Sequence, residues 1–195
     1  MAGDAPATHA KAVLDAFNAA LASNDADALC SCFYSEQAYW RDIVALTSHL
    51  RTIENPRIVA AALLEMIALR GLASEVELKG AAQFAVMSPV MVSSPVICRE
   101  VLDLVAVAND MVKMFIDCGI SFCTSSPSLD CMGKMVLLPV KSEGAVSWKI
   151  WVLSTWVERL IQHPEDEKLL LAPSRKLAGV DAIETDVMIV GAGTS

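Results

Sequence analysis

The sequence predicts an α+β fold, with three N-terminal helices packed on a curved antiparallel sheet. Up to Gly71 the apolar residues recur at the three-to-four spacing of amphipathic helices, and beyond it the period moves toward two, the alternation of strands. The later segments are also rich in Val, Ile, Phe and Trp, which suit a pleated, half-buried surface. Helices first and strands afterwards is the order of a layered domain whose sheet buries one face under its helices.

The first helix is "THAKAVLDAFNAALASND", where Val13, Leu14, Phe17, Ala20 and Leu21 form one stripe and Asn24 is the stop. "DADALCSCF" makes a second, short helix with Leu29, Cys32 and Phe33 facing inward. "QAYWRDI" reads as a short strand or strand-like turn. Asn55-Pro56 opens the third helix, "PRIVAAALLEMIALRGL", with proline in its first turn and Gly71 ending it. Strand candidates follow in "VELKGAAQFAVM", "KMFIDCGISFC", "CMGKMVLLPV" and "SWKIWVLSTWV", the last two joined by the charged hairpin loop "KSEGAVS". The segment Val92 to Lys113 has a helical stripe of Val101, Leu104, Val105, Val107 and Ala108 set between two strands. It reads either as a lid-like insertion or as sequence foreign to the fold.

The last strand is apolar on both faces. Strict alternation puts Trp148, Ile150, Val152 and Trp156 on one side and Trp151, Leu153 and Val157 on the other. One face lines the domain's interior; the other calls for a cover, supplied by a second copy, by residues 92–113 or by a further domain. Self-association through that outer face, with Trp151 or Trp148 near its centre, is the expectation.

With 195 residues the chain suits one domain and a short appendage. Its hydrophobic fraction of 54% and mean hydropathy of +0.47 are high. No apolar run approaches the roughly 18 residues of a membrane helix. The start "MAGDAPATHAKAV" has an early Asp and no hydrophobic signal core, so the expected location is cytoplasmic. A net charge of −8 without a basic patch speaks against nucleic acid and membrane partners and leaves a small hydrophobic substrate. The six cysteines are Cys30, Cys32, Cys98, Cys118, Cys123 and Cys131. Cys30-Ser31-Cys32 lacks the spacing of a zinc knuckle and the histidines are scattered, so these read as small buried thiols and no metal is expected.

The chain closes on "IETDVMIVGAGTS". Asp186 to Val190 read as a buried strand, and Gly191-Ala192-Gly193 as the first half of a dinucleotide-binding turn. Its third glycine, its helix and its ribose-binding acid do not follow within these 195 residues.

The order helix, helix, "AYWRDIVALTSHLRT", long helix, then a sheet ending in "SWKIWVLSTWVERL", resembles the N-terminal domain of fungal flavin-dependent monooxygenase-like proteins. That domain is similar to the nuclear-transport-factor-2-like cone shared by scytalone dehydratase and the polyketide cyclases. The resemblance implies such a domain over 1–160, with 92–113 as an atypical insertion, a linker over 161–185 and a dinucleotide-binding remnant over 186–195. It implies FAD and NADPH for a full-length relative and no cofactor in this chain, where Gly191 and Gly193 would be non-functional. It also implies an apolar pocket between helices and sheet, with Trp40, Phe17, Trp148 and Phe122 as lining candidates.

Acid–base candidates for such a pocket are Asp42 and His49, with Tyr39 or Arg41 orienting an oxygen. These are the ionisable groups placed together after the helical pair. Adjacent strand residues face opposite ways, so at most one of Arg41 and Asp42 meets the pocket. Of the histidines, His49 alone sits amid expected core residues; His9 is assigned to the tail and His163 to a charged loop. The expected function is binding of a small apolar molecule in secondary metabolism, as the leading domain of a monooxygenase without redox activity here. The alternatives are a free-standing, cofactor-independent cyclase, isomerase or dehydratase, and an inactive truncated fragment.

Overall fold

The computed structural model describes residues 6–86, 114–142 and 145–162, together with Pro164, Asp166, Lys168 and Leu171. The chain divides into two units, Met1–Pro164 and Glu165–Ser195, and every helix and strand below belongs to the first. The 92–113 segment, His163, Gly191 and Gly193 lie outside the described residues.

The helices form where the periodicity places them. Helix α1 (Pro6–Ala22) buries Val13, Leu14, Phe17 and Ala20 and leaves Leu21 half-buried. Asp25 caps α2 (Ala26–Cys32), its carboxylate accepting from the amides of Asp27 and Ala28, and Leu29, Cys32 and Phe33 turn inward as expected. Asn55 caps α3 (Pro56–Arg70), whose far end closes on Gly71 at φ 65. A side chain there would also run into Ser125, whose amide is bonded to the Gly71 carbonyl at 2.9 Å. That one glycine therefore stops the helix and fastens it to the sheet.

Six strands follow the order β2-β1-β6-β5-β4-β3. They are β1 (Tyr39–Ile43), β2 (Arg51–Glu54), β3 (Glu77–Val86), β4 (Met114–Ser125), β5 (Ser128–Ser142) and β6 (Ala145–Leu160). The expected α+β layering of three helices on a curved sheet is the observed one. Two details differ. The short β2 was not among the strand candidates; it pairs with β1 across a loop that Asp42 organises. The sheet is also mixed, because β1 runs parallel to β6. A parallel pair needs a long crossover, and here α3 and four intervening strands provide it.

The face assignment of β6 is corrected by a bulge. Val136 pairs Val152 while Leu137 pairs Ile150, so Trp151 is an extra residue that resets the alternation. Trp148, Ile150, Leu153 and Thr155 turn inward, whereas Val152 and Trp156 join Trp151 among the half-buried residues. Trp148 is thus a core residue, ruled out as the centre of an outer face. Trp151 meets Tyr39 edge to face, with ring centroids 6.5 Å apart.

Candidate functional site

Burial on β1 alternates, and this decides which of its polar residues lies inside. Trp40 and Asp42 are buried, Arg41 and Ile43 exposed, and no ion pair joins Arg41 to Asp42. Asp42 is 1% exposed and its oxygens are surrounded by donors. The Leu46 amide lies 3.2 and 3.1 Å from the two oxygens, the Thr47 amide donates at 2.8 Å, and the Thr47 and Thr155 hydroxyls donate at 2.6 Å each. A buried carboxylate loses its hydration, and this shell of donors replaces it. The Trp40 indole N–H donates in turn to Thr155 Oγ1 at 2.9 Å. Arg70, in the last turn of α3, donates from Nε to the Leu46 carbonyl at 3.0 Å. Asp42 and Arg70 therefore hold one loop from both sides. In that loop Val44 takes φ 66, a left-handed conformation that a β-branched residue rarely adopts.

The other expected acid–base groups are not gathered around Asp42. His49 is exposed, with its Nδ1 3.2 Å from the Ser48 hydroxyl, and approaches the network only through its carbonyl, 2.7 Å from the Thr47 hydroxyl whose single hydrogen goes to Asp42. The Tyr39 hydroxyl accepts from Gln37 Nε2. His9, expected in a loose tail, is half-buried on α1 with its ring 5.6 Å from Trp148.

Between helices and sheet lies an apolar cleft of about 20 Å³. Phe17, Leu46, Leu63, Phe122 and Leu153 line it, and half-buried Leu21, Ile67 and Leu72 form its rim. Thr155 is its single polar lining residue among the described residues, and that hydroxyl is already committed to Asp42 and Trp40. Of the pocket candidates, Phe17 and Phe122 line this cleft and Trp40 sits behind Thr155. Trp148 instead lines a separate surface cleft of about 260 Å³ with His9 and Lys149. A third cleft, of about 470 Å³, lies between α2, the start of α3 and the β5–β6 hairpin. The alternation in "AYWRD" reveals that at most one of Arg41 and Asp42 faces inward; nothing local could have revealed Thr155 as the partner of Asp42, 113 residues away.

Cys118 and Cys131 are buried on the inner face. Burial, with the Asp117 charge second, pushes the Cys118 thiol up to about 11. Burial, with Asp42 second, pushes Cys131 up to about 12. The five described cysteines are free, and among the described residues no three His, Cys, Asp or Glu side chains converge as metal ligands. No described helix is long and apolar enough to cross a membrane.

Neither a protein-family profile nor a curated protein sequence matches this chain. Solved structures do. A DUF4783 family protein from Bacteroides ovatus is 8% identical over 74% of this chain and 94% of its own, at a TM-score of 0.43. An uncharacterised protein with a cystatin-like fold from Caulobacter vibrioides is 11% identical over 79% and 90%, at 0.46. A designed nuclear-transport-factor-2 protein is 10% identical over 75% and 95%, at 0.43. These likenesses concern the fold alone; no ligand or activity passes from those proteins to this one.

Proposed function

We propose that the domain binds a small, predominantly apolar molecule in the cleft between α1, α3 and the sheet, and that it acts by binding rather than by turnover. The observation that carries this reading is the cleft's lining, which is apolar apart from a threonine whose hydroxyl is already engaged. A polar ligand would lose its hydration there and gain no partner. A volume of about 20 Å³ admits one water, whereas benzene-sized guests occupy cavities of roughly 150 Å³. Entry therefore moves the half-buried rim of Leu21, Ile67 and Leu72. Proton-transfer chemistry has less support, since the donors around Asp42 occupy both its oxygens and His49 lies outside. The relation to a flavin-dependent monooxygenase is a separate proposal, resting on Gly191-Ala192-Gly193 and the sequence order alone.

Titration with the neutral fluorophore N-phenyl-1-naphthylamine tests the binding reading. A saturable rise in emission is expected, lost in Leu72→Phe, which fills the rim at a half-buried position, and strengthened in Phe122→Ala. An emission that never saturates, or one indifferent to Leu72→Phe, would overturn it.

A further inference from the structure

We propose a second binding site, for a small amphipathic carboxylate, in the cleft between α2, the first turn of α3 and the base of the β5–β6 hairpin. Its volume of about 470 Å³ lies within the range of small-molecule sites, roughly 300–1,000 Å³, and it shares no lining residue with the apolar cleft.

Charge gives the ligand its sign. The chain carries −8 overall, yet this cleft presents Arg57 from α3 and Lys149 from β6 against the single acid Asp27. Neither cation forms an ion pair among the described residues. Lys149 Nζ is held in place by donating to the Ser31 carbonyl at 2.5 Å, which leaves two of its three N–H groups for a ligand. Arg57 is exposed, and its guanidinium has no hydrogen-bond partner among the described residues. Its planar fork matches a carboxylate with two parallel bonds. The Arg57 backbone amide is already taken by Asn55 Oδ1 at 3.0 Å, so side chains rather than the helix end supply the recognition.

The rest of the lining gives the ligand its body. Half-buried Val140 and Cys30 give the cleft its accessible apolar lining beside the cations, with Phe33, 2% exposed, packed behind them. An alkyl or aryl tail against them would leave water while the carboxylate met Arg57 and Lys149. A bare inorganic anion would leave that apolar surface uncovered, and a neutral amphiphile would leave both cations unpaired.

Isothermal titration of the 195-residue chain with octanoate, octanol and inorganic phosphate tests the site. Octanoate is expected to saturate, with octanol and phosphate much weaker. Arg57→Gln and Lys149→Gln should each weaken octanoate about tenfold, the effect of losing one charge-assisted contact. Arg57 is exposed on the helix surface, so its variant keeps its melting temperature even if Lys149→Gln does not. Leu72→Phe should leave octanoate binding unchanged while abolishing naphthylamine binding, which separates this site from the apolar cleft. Wild-type affinity in Arg57→Gln, equal affinity for octanol or phosphate, loss of octanoate in Leu72→Phe, or no octanoate binding into the millimolar range would overturn the proposal.

Discussion

Asp42 shows how one carboxylate can organise a region through hydrogen bonds alone. It joins β1 to the loop that leads into β2, and to β6 through Thr155. Replacing it by Asn turns a donor toward the Leu46 and Thr47 amides, which have no other partner among the described residues. Buried groups left so cost on the order of 1–3 kcal/mol each. Asp42→Asn should therefore lower unfolding free energy by about 2–4 kcal/mol in urea titration. His49→Gln, at an exposed ring, should change it by less than about 0.5 kcal/mol. Equal small effects would return Asp42 to the list of groups kept for chemistry. The two buried thiols make a pH prediction. In the unfolded chain they ionise near 9.0, but in the fold they hold their protons to about 11 and 12. A raised folded value means that their contribution to stability is complete below pH 9.0 and is lost as pH climbs toward those values. Stability measured across that alkaline range should fall, and Cys118→Ala with Cys131→Ala should flatten the fall. An unchanged slope in the double variant would assign it to other groups.

At the scale of elements, β6 carries the clearest test. Its bulge at Trp151 places Leu153 in the core at 1% exposure and leaves Val152 half-buried, the reverse of strict alternation. Leu153→Ala should cost about 2–5 kcal/mol, the range for a buried leucine, and Val152→Ala roughly 1 or less. Thermal unfolding of the two variants distinguishes the registers directly; a larger loss at Val152 would mean that the strand continues unbroken. The neighbouring β5 is matched to this packing. A Cβ at Gly133 would stand 2.6 Å from the Ser154 carbonyl and 2.8 Å from Ile120 Cγ1, so only glycine lets Ile120 fill the inner face there.

Across the whole domain, α1 is the lid of the sheet, and a side-chain amide secures it. Asn18 donates from Nδ2 to the Val76 carbonyl at 2.8 Å and accepts from the Val76 amide at 3.1 Å, joining α1 to the entrance of β3. Val76 also lines the apolar cleft, so the clamp and the opening motion share a residue. Asn18→Ala should cost about 1–3 kcal/mol by stranding both backbone groups. It should also speed hydrogen exchange of the Val76 amide more than that of amides in the centre of β5. Uniform acceleration over the sheet would mean that α1 opens only with global unfolding.

Helical spacing by itself determined the three helices, with the third starting at Asn55-Pro56 and stopping at Gly71, because caps and amphipathic stripes are local and each residue reports its own neighbours. Composition and period placed β3 to β6 and the α+β layering for the same reason, and read β1 as a short strand or strand-like turn. The short β2, the parallel β1–β6 pair and the reset faces of β6 came only with the tertiary structure. A four-residue strand has too few positions to show a period, and a bulge depends on the register of a partner strand. The candidate site divides along the same line. Of the four pocket candidates that the resemblance implied, Phe17 and Phe122 line the apolar cleft, whereas Trp148 lines another. That at most one of Arg41 and Asp42 faces inward was readable from the alternation; that it is Asp42, and that its hydrogen-bond shell draws on Thr155 from a strand more than a hundred residues away, was not. Arg57 and Lys149 meet in one cleft because α3 and β6 pack at the same end of the domain. Long-range pairing of this kind follows from the packing of whole elements, and no spacing along the chain encodes it.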